Sequence, residues 1–133
     1  MFHKHGKYYY FIGSGGYCCS GENSDYNMQI GRATSPTGPF VNKKGVNLLN
    51  TAGTFKIAEG NDAFVGPGSP GAVITDDKGV DWLPYHSYIR GNANKYGRVL
   101  CIDRIDWHDD TDSWPTLGDG AGPTSISIAP YFK

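Results

Sequence analysis

Apolar and polar positions alternate with a period of two along most of this chain, the mark of half-buried strands. Residues 7–14, KYYYFIGS, set Tyr8, Tyr10 and Ile12 on one face and Tyr9, Phe11 and Gly13 on the other. Residues 26–32, YNMQIGR, resume the alternation with Tyr26, Met28 and Ile30 together. Residues 1–5 read as a short strand before a Gly6-Lys7 turn. After the turn at 35–39, SPTGP, Phe40 and Val41 start an edge segment that stops at Asn42-Lys43-Lys44-Gly45. Residues 46–65 form a longer connection of weak periodicity, with one apolar run at 54–58.

The stretch 66–88, GPGSPGAVITDDKGVDWLPYHSY, reads as a β-hairpin entered through a glycine-rich loop. Ala72, Val73 and Ile74 are a short apolar strand, residues 76–79 (DDKG) the turn, and residues 81–88 the aromatic return strand. The entering loop carries almost no side chain, so backbone or a ligand can approach it closely. Residues 98–107 give a further strand, residues 108–114 an acidic turn, residues 118–124 a linker and residues 125–132 a last β-like segment. The order of strand, glycine turn, aromatic strand, polar loop and third strand occurs over residues 1–40 and again over 72–115. This echo suggests two antiparallel blades of a β-propeller, with blade one at about 1–50, a connection at about 51–65 and blade two at about 66–133. Propellers typically close with 4–8 blades, so two leave an apolar face without a neighbour, and copies are expected to associate as a homo-oligomer.

Composition narrows the classes. Aromatic residues make up 14% of 133 positions, with 19 Gly and 8 Pro, a mixture that favours short strands and many turns. The net charge of −1 gives no argument for nucleic acid or an anionic membrane. No apolar run approaches a membrane span, and no signal peptide is visible at the start. Cys18, Cys19 and Cys101 are an odd set with two neighbours, a poor disulfide framework, and are expected as free, partly buried thiols.

Four segments, GKYYYFIGS, DYNMQIGRATSPTGPF, FVGPGSPGAVITDDKGVDWLPYHSY and GRVLCIDRIDW followed by SWP, together resemble glycoside hydrolase family 43. The arabinanase and arabinofuranosidase members are the nearest in pattern. The resemblance implies an all-β fold, a partial propeller of two four-stranded antiparallel blades from a five-bladed whole. It implies inverting hydrolysis of arabinosyl or xylosyl linkages in plant cell-wall polysaccharides, in a family whose members are often secreted or periplasmic. By that alignment the family's general base Asp, its second Asp and its general acid Glu do not map onto residues of this sequence. A catalytically inactive sugar-binding fragment, or remnant of a longer hydrolase, is the alternative. The partner expected in either case is an arabinose- or xylose-containing oligo- or polysaccharide. Many relatives carry His where this chain has Ser69, a residue facing a central metal or its water shell. Serine cannot act as an imidazole ligand, so calcium there is doubtful.

The candidate substrate-binding residues are Ser69 in the glycine loop, Tyr17 in a loop that borders the family's cleft, His86 on the aromatic strand, and Arg98 of the family's Gly-Arg motif. Glu59 and Asp62, just before the glycine loop, are the nearest acids for any acid–base chemistry of the chain's own. No metal ligand set stands out. His3 and His5 share one strand face and could bind a metal weakly, but solvent exposure is the expectation at the chain start.

Overall fold

The computed structural model describes residues 1–50, 55–111, 113–125 and 128–133. It contains two antiparallel sheets. The first is a meander of β1 (Phe2–His5), β2 (Tyr8–Gly15), β3 (Asn27–Ala33) and β4 (Lys56–Ala58). The second orders β5 (Phe64–Gly68), β7 (Asp81–Ile89), β8 (Arg98–Asp106) and β9 (Thr116–Leu117), with the short β6 (Ile74–Thr75) pairing β7 off this path. Single helical turns at Gly21–Asn23 and Ala93–Tyr96 sit in the loops.

The alternation decides how the sheets meet. Ile12 pairs with Ile30 across β2 and β3, and Tyr85 with Cys101 across β7 and β8. Tyr10, Ile12, Met28 and Ile30 therefore form one buried layer, with Ile57 and Ala58 from β4. They pack against Leu83, Tyr85, Cys101, Ile105, Trp107 and Leu117 of the second sheet's side. Each large side chain so buried contributes roughly 1.5–3 kcal/mol. The other face of the first sheet carries an open aromatic patch. Phe2 stacks on Tyr9 at 5.8 Å, Phe40 meets both Phe2 and Phe11, and Phe2 and Phe11 are about half exposed.

Three segments depart from the sequence pattern. Strand pairing of the first sheet runs on to Ala58 and the second begins at Phe64, both inside the stretch read as a connection. On its edge away from β8, β7 pairs with β5, whose Gly66-Pro67-Gly68 has no apolar alternation to reveal it. The Ala72-Val73-Ile74 strand shrinks to a two-residue flap, Ile74–Thr75, on β7. Of the last β-like segment, Ile126 and Ser127 lie outside the described residues. Residues 128–133 are not a strand: they fold back over the 76–79 turn. The Asp77 N–H donates to the Tyr131 carbonyl at 3.0 Å and the Lys133 N–H to Asp77 Oδ2 at 2.6 Å.

Asp76 is the hub of that turn. Its carboxylate accepts from the backbone N–H groups of Lys78, Val80 and Tyr131 and from the Trp82 indole N–H at 3.0 Å. Burial alone would push its pKa up. The hydrogen bonds from Val80, Tyr131, Trp82 and Lys78 outweigh it and hold the carboxyl at about 2. An unfolded Asp titrates near ~3.9, so the folded state favours the charged form. That stabilisation is present above about pH 4 and is lost as pH falls through about 2. Thermal melts between pH 6 and pH 2 should show Asp76→Asn with a lower Tm than the parent at pH 6 and a shallower acid decline.

Candidate functional site

The two sheets come together at the exit of β5. The Ser69 N–H donates to Ser14 Oγ at 2.9 Å, tying the glycine loop to the end of β2. Gly68 lies opposite His86 across β5 and β7. Tyr26 fills the space that a side chain at Gly68 would need: a Cβ there would stand 2.1 Å from Tyr26 Cε1. The Tyr26 ring in turn lies nearly parallel to the His86 imidazole, centroids 6.1 Å apart. The missing side chain at Gly68 is thus what lets an aromatic ring from one sheet reach a histidine of the other.

Arg98 and the 16–25 loop border the same corner. Arg98 pairs with Tyr88 at the start of β8, and its guanidinium Nη1 is 3.9 Å from Cys19 Sγ. Burial first, and the Arg98 charge second, push the His86 pKa below its ordinary value, so the ring is neutral at pH 7. His86 Nδ1 is buried without a hydrogen-bond partner among the described residues. Cys18 and Cys19 are joined to each other in a disulfide, against the expectation of free thiols; only Cys101 is free, and it is buried. Counting cysteines weighs bridges between separated residues and passes over neighbours, and here Cys19 takes φ 70°. The loop is held down where the Ala93 N–H donates to Glu22 Oε1 at 3.3 Å. It presents Tyr17, 65% exposed, to solvent.

Ser69, His86 and Arg98 therefore converge, and Tyr17 rides the loop beside them. Glu59 and Asp62 do not join them. Glu59 pairs with Lys56 at 2.6 Å, and both acids are exposed at the entry of β5, the end away from Ser69. At ~3.3 Å per residue, Phe64 to Gly68 separates those ends by about 13 Å. Sequence reasoning missed Ser14, Tyr26 and the disulfide. Tyr26 was grouped with Met28 and Ile30 by alternation, but it precedes β3 and points at Gly68 instead. The available signal was the side-chain-free Gly-Pro-Gly itself, which must be covered by a large ring from elsewhere.

Side-chain donors at Ser69 are the Ser14 and Ser69 hydroxyls and, one strand over, the His86 imidazole. Calcium takes 6–8 oxygens, chiefly carboxylates and carbonyls, and these three side chains bring no carboxylate to it. Arg98→Gln should raise the His86 pKa toward its ordinary value, read from the imidazole Hε1 shift in an NMR titration.

The model of Glycosyl hydrolases family 43 matches residues 1–115. The chain belongs to this family. This family-43 chain is 34% identical over 116 residues to the extracellular exo-alpha-(1->5)-L-arabinofuranosidase ArbA of Cellvibrio japonicus, covering 87% of the chain and 31% of that protein. It is 36% identical over 110 residues to the extracellular endo-alpha-(1->5)-L-arabinanase 1 of Bacillus subtilis, covering 82% and 30%. Among solved structures, Cellvibrio cellulosa alpha-L-arabinanase complexed with arabinohexaose superposes with a TM-score of 0.75 at 32% identity, over 89% of this chain and 35% of that one. The two sheets are two blades of the five-bladed propeller that such arabinanases form. The chain spans about a third of the length of these relatives.

Proposed function

We propose that this chain forms one wall of an arabinan-binding cleft in a family-43 glycoside hydrolase. The observation that carries the proposal is the convergence of Ser69, Tyr26, His86 and Arg98 at one end of the two blades, in a chain whose relatives are named for α-1,5-arabinan. The chemistry suits a neutral sugar. Tyr17 offers an exposed aromatic face to the C–H side of a furanose ring. The serine hydroxyls both donate and accept, matching sugar hydroxyls, neutral His86 adds its one unburied ring nitrogen, and Arg98 adds a fixed fork of donors.

Inverting hydrolysis needs two carboxyl groups roughly 6.5–9.5 Å apart. Asp25 and Glu22, the carboxylates of the loop that borders this wall, both accept backbone N–H bonds that hold the loop. That observation favours a second reading, in which the chain by itself binds arabino-oligosaccharides without cleaving them. The open Phe2, Phe11 and Phe40 patch supports association of copies, since an apolar blade face is normally covered by a neighbour.

The test uses the pure protein, sized first by light scattering; a mass above one chain supports association and a monomer contradicts it. Turnover of linear 1,5-arabinan or nitrophenyl arabinofuranoside establishes the enzyme. Calorimetric binding of arabinohexaose without turnover establishes the second reading. In either case Tyr17→Ala should weaken binding roughly 2- to 10-fold, the worth of one aromatic contact. Absence of both binding and turnover would overturn the assignment of this wall.

A further inference from the structure

A second cluster of chemistry-bearing side chains sits at the other end of the blades. His3 and His5 point to the same face of β1, since they pair with Tyr10 and Tyr8 of β2. Both imidazoles lie flat against the Trp107 indole, at 5.1 and 4.5 Å between centroids and within 15° of parallel. They are half-buried, not the free histidines expected at a chain start. Asp81, the first residue of β7, completes the group: one ligand atom from each of His3, His5 and Asp81 lies within 4.8 Å of the others.

We propose that His3, His5 and Asp81 form a binding site for a divalent transition-metal ion, Zn²⁺ above all, that clips the first blade to the second.

The hydrogen bonds around the cluster leave an acceptor atom on each of the three side chains. His5 Nε2 is 2.8 Å from Asp109 Oδ1. A carboxylate only accepts, so Nε2 carries the proton and Nδ1 of the neutral ring presents a lone pair. That Nδ1 is 3.9 Å from Asp81 Oδ2, too far for a direct hydrogen bond. Two tetrahedral ligands on one zinc, each at ~2.0–2.1 Å, lie about 3.3–3.4 Å apart, so a closure of about half an ångström seats an ion between them. His3 makes no side-chain hydrogen bond among the described residues and is free to close in by the roughly 1–1.5 Å that the metal–ligand lengths require.

The supporting contacts are those that tune metal sites. The Trp107 indole N–H donates to Asp81 Oδ2 at 2.8 Å and the Thr75 hydroxyl to Asp81 Oδ1 at 2.6 Å, which fixes the carboxylate plane. Asp109 fixes the His5 ring in the same way, the carboxylate–histidine pairing common behind metal ligands. Two imidazoles and one carboxylate are three ligands of a tetrahedral zinc, with the fourth place open to solvent. Trp107 forms the floor. The site is separate from the cleft wall. His5 pairs with Tyr8, whereas Ser14 meets Ser69, and Tyr8 to Ser14 spans about 20 Å along β2. The proposal stands or falls independently of the arabinan reading.

The test is calorimetric titration of the untagged full chain, stripped with a chelator, with zinc sulfate, and of the same protein with Co²⁺ followed by visible absorption. Cysteines do not confuse it, because Cys18 and Cys19 are bonded together and Cys101 is buried. The expected result is saturation at one ion per chain with a rise in Tm. His3→Gln and Asp81→Asn should abolish saturation, and Asp109→Asn should weaken it by about 10–100-fold, the usual effect of losing such a supporting group. His108→Gln, the next residue to Trp107 but bonded toward Thr116, should leave it unchanged. Should Asp81→Asn lose its native circular dichroism, His3→Gln decides alone. No saturable binding at millimolar zinc, or binding that survives His3→Gln, overturns the proposal.

Discussion

Tyr10, Ile12, Met28 and Ile30 press on Leu83, Tyr85, Cys101 and Ile105 across a single apolar seam. A chain of this size has room for little more, and each sheet without the other would expose its inner face to water. The seam also sets position. It brings the exit of β5 against the ends of β2 and β3, so that Ser69 meets Ser14 and Tyr26 meets His86. At the opposite rim, Trp107 belongs to the seam through Tyr10, at 5.0 Å, and is the surface on which His3 and His5 stack.

Among the described residues, buried side-chain polar atoms other than His86 Nδ1 have hydrogen-bond partners. Asp103, 1% exposed, accepts from the Tyr85 hydroxyl and from the N–H and hydroxyl of Thr124, which draws the 118–124 segment onto the second sheet. Burial, and then its bond to Asp103, push the Tyr85 pKa far up, and burial followed by the Asp103 charge raises the Cys101 thiol to about 11. Both groups stay neutral at any working pH, as a buried network in a low dielectric requires. Asp103 is therefore a structural acid, and its burial does not mark a second reaction centre.

The fold was legible because burial on one face enforces a period of two. KYYYFIGS and YNMQIGR showed both the strands and their inner faces, and Tyr10, Ile12, Met28 and Ile30 are where that alternation places them. What alternation does not encode stayed hidden. Strand β5 pairs with β7 at Phe64, Val65 and Gly68, around an irregularity at Gly66-Pro67, and the last segment is held by hydrogen bonds to Asp76 and Asp77 that have no periodic trace. The same division holds at the site. Ser69, His86 and Arg98 stood out by motif, but Tyr26 and Ser14 act through contacts between sheets, which only the register fixes. Glu59 and Asp62 were near the glycine loop in sequence and lie at the wrong end of β5 in space. His3 and His5 were visible as a same-face pair, while Asp81 and Trp107, which give that pair its surroundings, come from the other sheet.

The dependence of both ends of the molecule on one seam is tested most directly by native-state hydrogen exchange on Leu83→Ala. Leu83 is fully buried in the second sheet, and truncating such a leucine costs about 2–5 kcal/mol. A shared seam predicts that amide protection falls by the same free energy at Ile12 and Ile30 in the first sheet as at Tyr85 and Cys101 in the second. A loss confined to the second sheet would show that the two blades stand independently, and would contradict the account.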